Sequence, residues 1–140
     1  MPSVQKNFIR HLDSLAPVFE LLDQFAAAER VDDESKHAIS LAVDELFTNM
    51  VRYHPDNANA ITIELRVVDE TAIIDLIDRD VDKFDPTRKR DPYLGASLDE
   101  RTPGGLGILL TKKLMDDVQY RYGDRTSIIV LKKKFRRKHV

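Results

Sequence analysis

The chain has 140 residues, 42% of them hydrophobic and 33% charged, with a formal net charge of −2 and no cysteine. This length suits one domain with a single sizeable core, and the hydrophobic fraction excludes disorder as the default state. Without cysteine the chain forms no disulfide, iron–sulfur cluster or thiolate zinc site. No stretch approaches the roughly 20 apolar residues of a membrane-spanning helix, and the first residues lack a signal-peptide core. We therefore expect one soluble, cytoplasmic domain.

The first half of the chain predicts one strand and two helices. Alternation over residues 4–10 is typical of a strand. Apolar residues at three- and four-residue spacing over 12–28 predict an amphipathic helix, in which Pro17 either introduces a kink or marks the true start. A second helix is predicted over 33–53, between a pair of aspartates that can cap it and the pair His54-Pro55 that would stop it.

The middle of the chain predicts a β-hairpin followed by a long polar segment. Alternating runs over 60–68 and 71–78 predict the two strands, with a turn at Asp69-Glu70. The pattern then disappears over residues 79–103, which are rich in charged residues and proline. A segment of this length without structure inside a compact domain is usually functional or disordered.

The last third predicts one helix and two strands. The helix is expected over 106–115, and the strands over 118–122 and 127–135, joined by a Gly123-Asp124 turn. The complete order is β-α-α-β-β-loop-α-β-β. It predicts an α+β fold, a two-layer sandwich with helices on one face of a mixed, mainly antiparallel sheet.

Six of the 22 basic residues lie in the last nine positions: Lys132, Lys133, Lys134, Arg136, Arg137 and Lys138. One interpretation is contact with nucleic acid or an acidic partner. The other is a charged edge strand and terminal segment, on which lysine discourages aggregation of sheets. We favour the second, because the rest of the chain is acidic and Phe135 is the one aromatic residue among these charges.

Glu45 and Asn49 lie four residues apart in the second predicted helix, on the flank of its apolar stripe. The carboxamide oxygen of Asn49 suits Mg²⁺, which takes oxygen ligands and binds phosphates. The carboxylate of Glu45 could accept a proton from a hydroxyl or water. The alternative is a hydrogen-bonded pair on a solvated helix shoulder, which carries no chemistry.

Two further features could contact a ligand. Asp78 ends a predicted strand, where it can accept a hydrogen bond from a ligand amine or simply cap the turn. The glycine-rich segment 103–108 opens the third helix, where N–H groups can bind phosphate or the glycines can act as a hinge. This segment is neither a Walker A loop, which needs Gly-Lys-Ser/Thr, nor a Rossmann fingerprint, which follows a strand.

In this order and spacing, the three features resemble those of the GHKL (Bergerat-type) ATP-binding domain, and within it the bacterial anti-sigma factor serine/threonine kinase family. Residues 42–49 (AVDELFTN) with Tyr53 resemble its N box. Asp78 with residues 84–86 (FDP) resembles the first glycine box, and residues 103–108 (PGGLGI) resemble the final one. The resemblance covers nearly the whole chain and implies the Bergerat fold.

The resemblance also implies a role for each matched residue. Glu45 would be the catalytic base, and Asn49 would hold Mg²⁺ between the phosphates of ATP. Asp78 would accept the amino group of adenine, and Thr126 would lie near adenine through water. Four residues at the start of the third helix would bind the phosphates: Gly104, Gly105, Leu106 and Gly107.

The polar segment 79–103 would then be a mobile ATP lid within a single domain of residues 1–140. The sequence departs from the family pattern here, because Asp80 stands where the family has glycine and one additional residue precedes Phe84. Aspartate tolerates a left-handed backbone better than most residues, but it brings a negative charge close to a polyanion.

The resemblance implies an ATP-binding regulatory protein that sequesters a sigma factor and phosphorylates an anti-anti-sigma (STAS-type) partner on serine or threonine. It implies no direct contact with nucleic acid or membrane, and a homodimer for which residues 4–25 offer an apolar surface. Asp80 motivates the alternative of a nucleotide-gated protein-binding module without kinase activity. A domain that binds no nucleotide is the third hypothesis, and a detached histidine-kinase domain is less favoured because no phosphoacceptor helix precedes it.

Overall fold

The computed structural model describes residues 3–54, 56–82 and 105–138, with the backbone alone for 105–108. Five strands form one sheet in the order β1-β2-β3-β5-β4. They are β1 (Val4–Phe8), β2 (Ile61–Val68), β3 (Thr71–Arg79), β4 (Asp117–Gly123) and β5 (Thr126–Lys134). The predicted α+β fold is confirmed. The described strands pair only in antiparallel fashion, so the expectation of a mixed sheet is wrong for them.

In the described ranges three α-helices accompany this sheet: α1 (Leu15–Glu29), α2 (Asp33–Tyr53) and α3 (Gly105–Leu114). A 3₁₀ turn over Leu12–Ser14 precedes α1, so that Pro17 is the third residue of the helix. A proline in the first turn removes no helical hydrogen bond, so it marks the start of α1. The side chain of Asp32 caps α2 by accepting a hydrogen bond from the backbone N–H of Ser35 at 3.0 Å, as predicted.

The core lies between the helices and one face of the sheet. Alternate strand residues on that face are fully buried: Ile61, Ile63, Leu65, Ile74, Leu76, Ile129 and Leu131. The apolar stripe of α2 covers them with Val43, Leu46 and Phe47, none of which is exposed. Phe47 also meets Phe8 of β1 edge to face, with ring centroids 6.4 Å apart. The opposite face of the sheet carries polar side chains such as those of Glu64, Arg66 and Asp75.

Both hairpin turns use residues with left-handed backbone. The turn between β2 and β3 lies at Asp69 and Glu70, with φ of 50° and 56°, as predicted. The turn between β4 and β5 lies at Asp124 and Arg125, with φ of 51° and 56°, one residue later than predicted. Gly123 is the last residue of β4, so the prediction of a turn at this glycine was one residue too early.

Three of the basic side chains near the end of the chain, those of Lys133, Arg137 and Lys138, are bonded within the protein. Strand β5 lies between β3 and β4, so the expectation that these residues lie on an edge strand is wrong. Lys133 donates to the carbonyl of Leu114 at 2.8 Å, and Arg137 donates to the carbonyl of Glu29 at 2.6 Å. Lys138 forms an ion pair with Asp33, which lowers the pKa of that carboxyl. Among the described residues, no helix is both long and apolar enough to cross a membrane.

Candidate functional site

Asn49 of α2 and Asp78 of β3 meet at one small cavity near the end of the helix. The residues that line it are Asn49, Met50, Tyr53, His54, Asp78, Val81, Asp82 and Ser127. Its volume is about 20 Å³, which is enough for a single water molecule. A purine could therefore enter only if the side chains around the cavity moved apart. The structure thus brings together two of the predicted site residues, 29 positions apart in sequence, at a place that ligand binding would have to open.

Glu45 lies one helical turn before Asn49 and is joined to it. The side-chain amide of Asn49 donates to Oε1 of Glu45 at 3.4 Å, and Asn49 itself is 3% exposed. Burial raises the pKa of the Glu45 carboxyl, while the hydrogen bond from Asn49 opposes this shift. Glu45 is half-buried and does not line the cavity, but it is bonded to Asn49, which does. The predicted pair is real, and its carboxylate binds a proton more strongly than an exposed glutamate does.

Asp78 is paired with a cation that sequence reasoning missed. The guanidinium of Arg10 forms an ion pair with the Asp78 carboxylate, and the two side chains are only 3% and 2% exposed. Arg10 also donates to the carbonyl of Met50 at 3.1 Å and to that of Asn59 at 3.2 Å. The alternation after Val4 placed Arg10 in a strand, and no feature of the sequence connects it with a residue 68 positions away.

Ser127, and not Thr126, is the β5 residue at the cavity. Ser127 lies opposite Asp78 in the β3–β5 register and is 5% exposed. Thr126 lies opposite Arg79 instead, and its hydroxyl donates to the carbonyl of Asp124 in the turn at 3.4 Å. Successive side chains of a strand point to opposite faces, so the two residues cannot both face Asp78. Thr126 is therefore not among the residues that line this cavity, and its predicted water-mediated contact with adenine stays a prediction.

Asp80 follows β3 with a left-handed backbone, at a φ of 58°. Its carboxylate accepts a hydrogen bond from Nε of Arg125 at 2.9 Å, and Asp82 accepts one from Nη1 at the same distance. The backbone of Val81 is fixed as well, because its N–H donates to the carbonyl of Arg125 and its carbonyl accepts from Tyr122. The aspartate thus adopts the backbone that was expected of it, and its carboxylate, which does not line the cavity, forms an exposed ion pair with Arg125.

Comparison with known proteins agrees with this fold. A model of the histidine kinase-like ATPase domain matches residues 8–133. The chain belongs to this family. It is 29% identical to the serine/threonine-protein kinase BtrW of Bordetella bronchiseptica over 105 residues, which are 74% of this chain and 73% of BtrW. It is also 29% identical to the serine-protein kinase RsbW of Listeria innocua over 104 residues, which are 71% of this chain and 66% of that protein.

Two solved structures share the fold. The RsbU and RsbW domains of a Mycobacterium tuberculosis protein align over 96% of this chain and 33% of that chain, with a TM-score of 0.68 and 16% identity. The Acinetobacter baumannii histidine kinase AdeS aligns over 96% of this chain and 69% of that one, with a TM-score of 0.52 and 15% identity. Together with the family match, these alignments confirm the predicted GHKL-type architecture.

The remaining predicted residues of this ATPase domain lie at or beyond the limits of the described chain. Helix α3 begins at Gly105, as the glycine-rich segment predicts, and packs against α2. The backbones of Leu106 and Gly107 are in its first turn. Gly104, Phe84 and most of the predicted lid, residues 83–103, lie outside the described residues. Within the described ranges there is no cluster of three or more histidine and acidic side chains for a metal ion.

Proposed function

We propose that this domain binds ATP with Mg²⁺ and transfers the γ-phosphoryl group to a serine or threonine of a small STAS-type partner. The observation that carries the proposal is the cavity shared by Asp78 and Asn49, with Glu45 bonded one turn away. The kinase names of the relatives support the same reaction. The alignment covers about two thirds of the length of the Listeria relative, so the activity of that complete protein is for this chain a proposal as well.

Glu45 is the proposed catalytic base. Burial raises its pKa, so its carboxylate has a greater affinity for the proton of an attacking hydroxyl than an exposed glutamate would have. The hydrogen bond from Asn49 holds that carboxylate on the side of α2 next to the cavity. In phosphoryl transfer the protein contributes mainly positioning and electrostatic stabilisation, and we assign these tasks to Glu45 and Asn49.

Asn49 is the proposed metal ligand, and its chemistry fits that role. Its amide nitrogen is the atom bonded to Glu45, so the oxygen of the same group is the one that would bind the cation. One oxygen ligand from the protein is compatible with Mg²⁺, because this ion keeps several waters and takes its other ligands from the phosphates of the nucleotide. When bound, Mg²⁺ would neutralise negative charge on the β- and γ-phosphates.

The base and phosphates of the nucleotide have separate proposed contacts. Asp78 would accept the adenine amino group, and we retain Thr126 as a predicted water-mediated contact beyond the described cavity. The phosphates would lie at the N-terminus of α3, where free N–H groups and the helix dipole favour anions. That part of the proposal is supported by the backbone of Gly105, Leu106 and Gly107 in the first turn of α3, and Gly104, outside the described residues, stays a predicted contact.

Transfer of labelled phosphate from ATP to a STAS-type protein tests the proposal. We expect Glu45→Gln to bind Mg-ATP as the native protein does but to lose about 10²- to 10⁴-fold in transfer, the usual contribution of a general base. The matched control is Glu34→Gln, which changes an exposed carboxylate in the first turn of the same helix and should transfer normally. Equal transfer by Glu45→Gln and the control would eliminate Glu45 as the base.

The nucleotide-gated binding module without turnover is the competing function. This alternative rests on the negative charge that Asp80 would bring close to the phosphates of ATP. In the structure the Asp80 carboxylate forms an ion pair with Arg125. Tight binding of Mg-ATP without transfer to any STAS-type protein would support it. No calorimetric signal with Mg-ATP would support the third hypothesis, an interaction domain that binds no nucleotide.

The proposed partners are separate chains. One is a sigma factor that the domain sequesters, and the other is the anti-anti-sigma substrate. Because these are components of transcription control, the proposed site of action is the cytoplasm. A homodimer, with residues 4–25 contributing its surface, also remains a proposal. In the described structure Val4, Ile9 and Leu12 of that segment are exposed, at 45%, 77% and 42%.

A further inference from the structure

Arg10 shares a buried site with the carboxylate that the proposed function assigns to adenine. We infer that Arg10 is a positioning residue for adenine recognition, which fixes the Asp78 carboxylate without itself lining the cavity. This inference rests on the proposed binding of ATP. It concerns a residue of the N-terminal segment that none of the predicted motifs contains.

The first support is the arrangement of groups around Asp78. Ser127, its register partner on β5, lines the cavity, whereas Arg10 does not. Arg10 follows β1, and β1 lies two strands from β3 on the other side of β2. Asp78 therefore meets Ser127 in the cavity lining and Arg10 outside it. A carboxylate accepts hydrogen bonds at about four lone-pair sites, so Asp78 can bind Arg10 and still accept a hydrogen bond from a ligand amine that enters the cavity.

The second support is the geometry of the arginine fork. Nη2 of Arg10 bonds Oδ1 of Asp78, and Nη1 lies 3.5 Å from Oδ2, so the guanidinium addresses both oxygens. The terminal torsion of aspartate is broad, and an unpaired carboxylate would sample many planes. A fork on both oxygens selects one plane, which defines the direction in which the remaining lone pairs point.

The third support is that Arg10 itself is held rigidly. Its guanidinium is bonded to the carbonyls of Met50 and Asn59. The backbone beside it is fixed at Ile9, whose carbonyl accepts from the hydroxyl of Ser14 at 2.6 Å and from the N–H of His11 at 2.8 Å. A binding group is effective when its own supports lock its orientation, and here those supports come from α2, from Asn59 just before β2 and from the segment after β1.

The inference predicts a specific effect on base selection. ATP and purine riboside triphosphate differ by the 6-amino group that Asp78 would bind. A hydrogen bond to a charged group corresponds to about a ten- to hundredfold preference for ATP in the native protein. In Arg10→Met the carboxylate is no longer oriented. We expect ATP affinity to fall by about tenfold, while affinity for the analogue, which never uses Asp78, changes little.

The experiment is calorimetric titration of native protein and variants with the two nucleotides in Mg²⁺ buffer. Arg10→Lys is the second variant, in case Arg10→Met does not fold, which its urea midpoint would reveal. Lysine keeps the charge but cannot span both oxygens, so an intermediate preference is expected. The control is Arg66→Met, which breaks an ion pair with Asp75 on the opposite face of the sheet and should leave the preference intact.

Loss of the preference for ATP in Arg10→Met, partly restored in Arg10→Lys, supports the inference. A parallel loss for both nucleotides shows that Arg10 serves only the fold and overturns it. A gain in ATP affinity overturns it as well, because Arg10 would then compete with adenine. If the native protein binds ATP without preference, the assignment of Asp78 fails, and if it binds neither nucleotide, the proposed function itself fails.

Discussion

Replacement of Asp78 by asparagine is the natural test of an adenine contact, but it also removes one partner of a buried ion pair. Arg10 and Asp78 are 3% and 2% exposed, so the guanidinium that remains cannot be rehydrated from the surface. It keeps its bonds to the Met50 and Asn59 carbonyls and loses the one anionic partner it has among the described residues. Breaking a buried pair in this way costs about 3–5 kcal/mol, against a total stability of about 5–15 kcal/mol.

Urea unfolding followed by circular dichroism measures this cost. With an m-value of about 2 kcal/mol per molar urea, the midpoint of Asp78→Asn should fall by about 2 M. Arg10→Met should fall similarly, since it leaves a buried carboxylate without its cation. The double variant has neither unpaired charge, and we expect it to be more stable than the sum of the two losses by about 1–3 kcal/mol.

Additivity of the two losses within about 0.5 kcal/mol would refute this reasoning, because it would show that the two side chains do not interact. The result also decides how binding data are interpreted. If Asp78→Asn is as unstable as expected, loss of ATP binding in that variant reports unfolding as well as recognition. Nucleotide analogues then give the cleaner test of the adenine contact.

Three further predictions concern neighbouring features. Burial raises the pKa of Glu45, so the folded state binds this proton more tightly than the unfolded state, and the stability that protonated Glu45 contributes at acid pH is lost as pH rises through the raised pKa. Urea midpoints should therefore show Glu45→Gln more stable than the native protein at pH 8, with the difference shrinking toward pH 4. Asp32→Ala removes the cap of α2 and should lower stability by about 1 kcal/mol, or the melting temperature by about 4 °C. Asp80→Gly should change ATP affinity less than about threefold by calorimetry and stability by less than about 1 kcal/mol, since glycine relieves a left-handed φ while an exposed ion pair is lost.

Each of these has a clear contrary result. A pH-independent difference for Glu45→Gln would mean that its carboxyl is not perturbed. Retention of full stability in Asp32→Ala would mean that the bonds its carboxylate accepts from the N–H groups of Ser35 and Arg136 contribute nothing, and Asp32→Asn is the control that keeps an acceptor. A large gain in ATP affinity for Asp80→Gly would mean that the carboxylate does face the nucleotide, whatever its contact with Arg125.

Local chemistry explains why most elements could be predicted. The bounds of α2 follow from an aspartate cap and a closing His-Pro pair, which act within a few residues of the helix ends. The pair Glu45 and Asn49 was predictable for the same reason, since residues four apart always share a helix face. The turn was predicted one residue too early, at Gly123-Asp124, because a glycine can lie in a strand as well as in a turn. The left-handed positions are taken by Asp124 and Arg125.

The sequence by itself determined the α+β order of elements, the family resemblance, and the residues expected to carry chemistry. Tertiary structure alone decided which of them meet. The register of β3 with β5 brought Ser127, and not Thr126, to Asp78. The order of strands brought Arg10 to the same carboxylate across 68 positions of sequence. Hydrophobic patterning specifies which face of an element is buried, but the partner of a buried charge depends on how distant elements are placed, and that is fixed only when the sheet assembles.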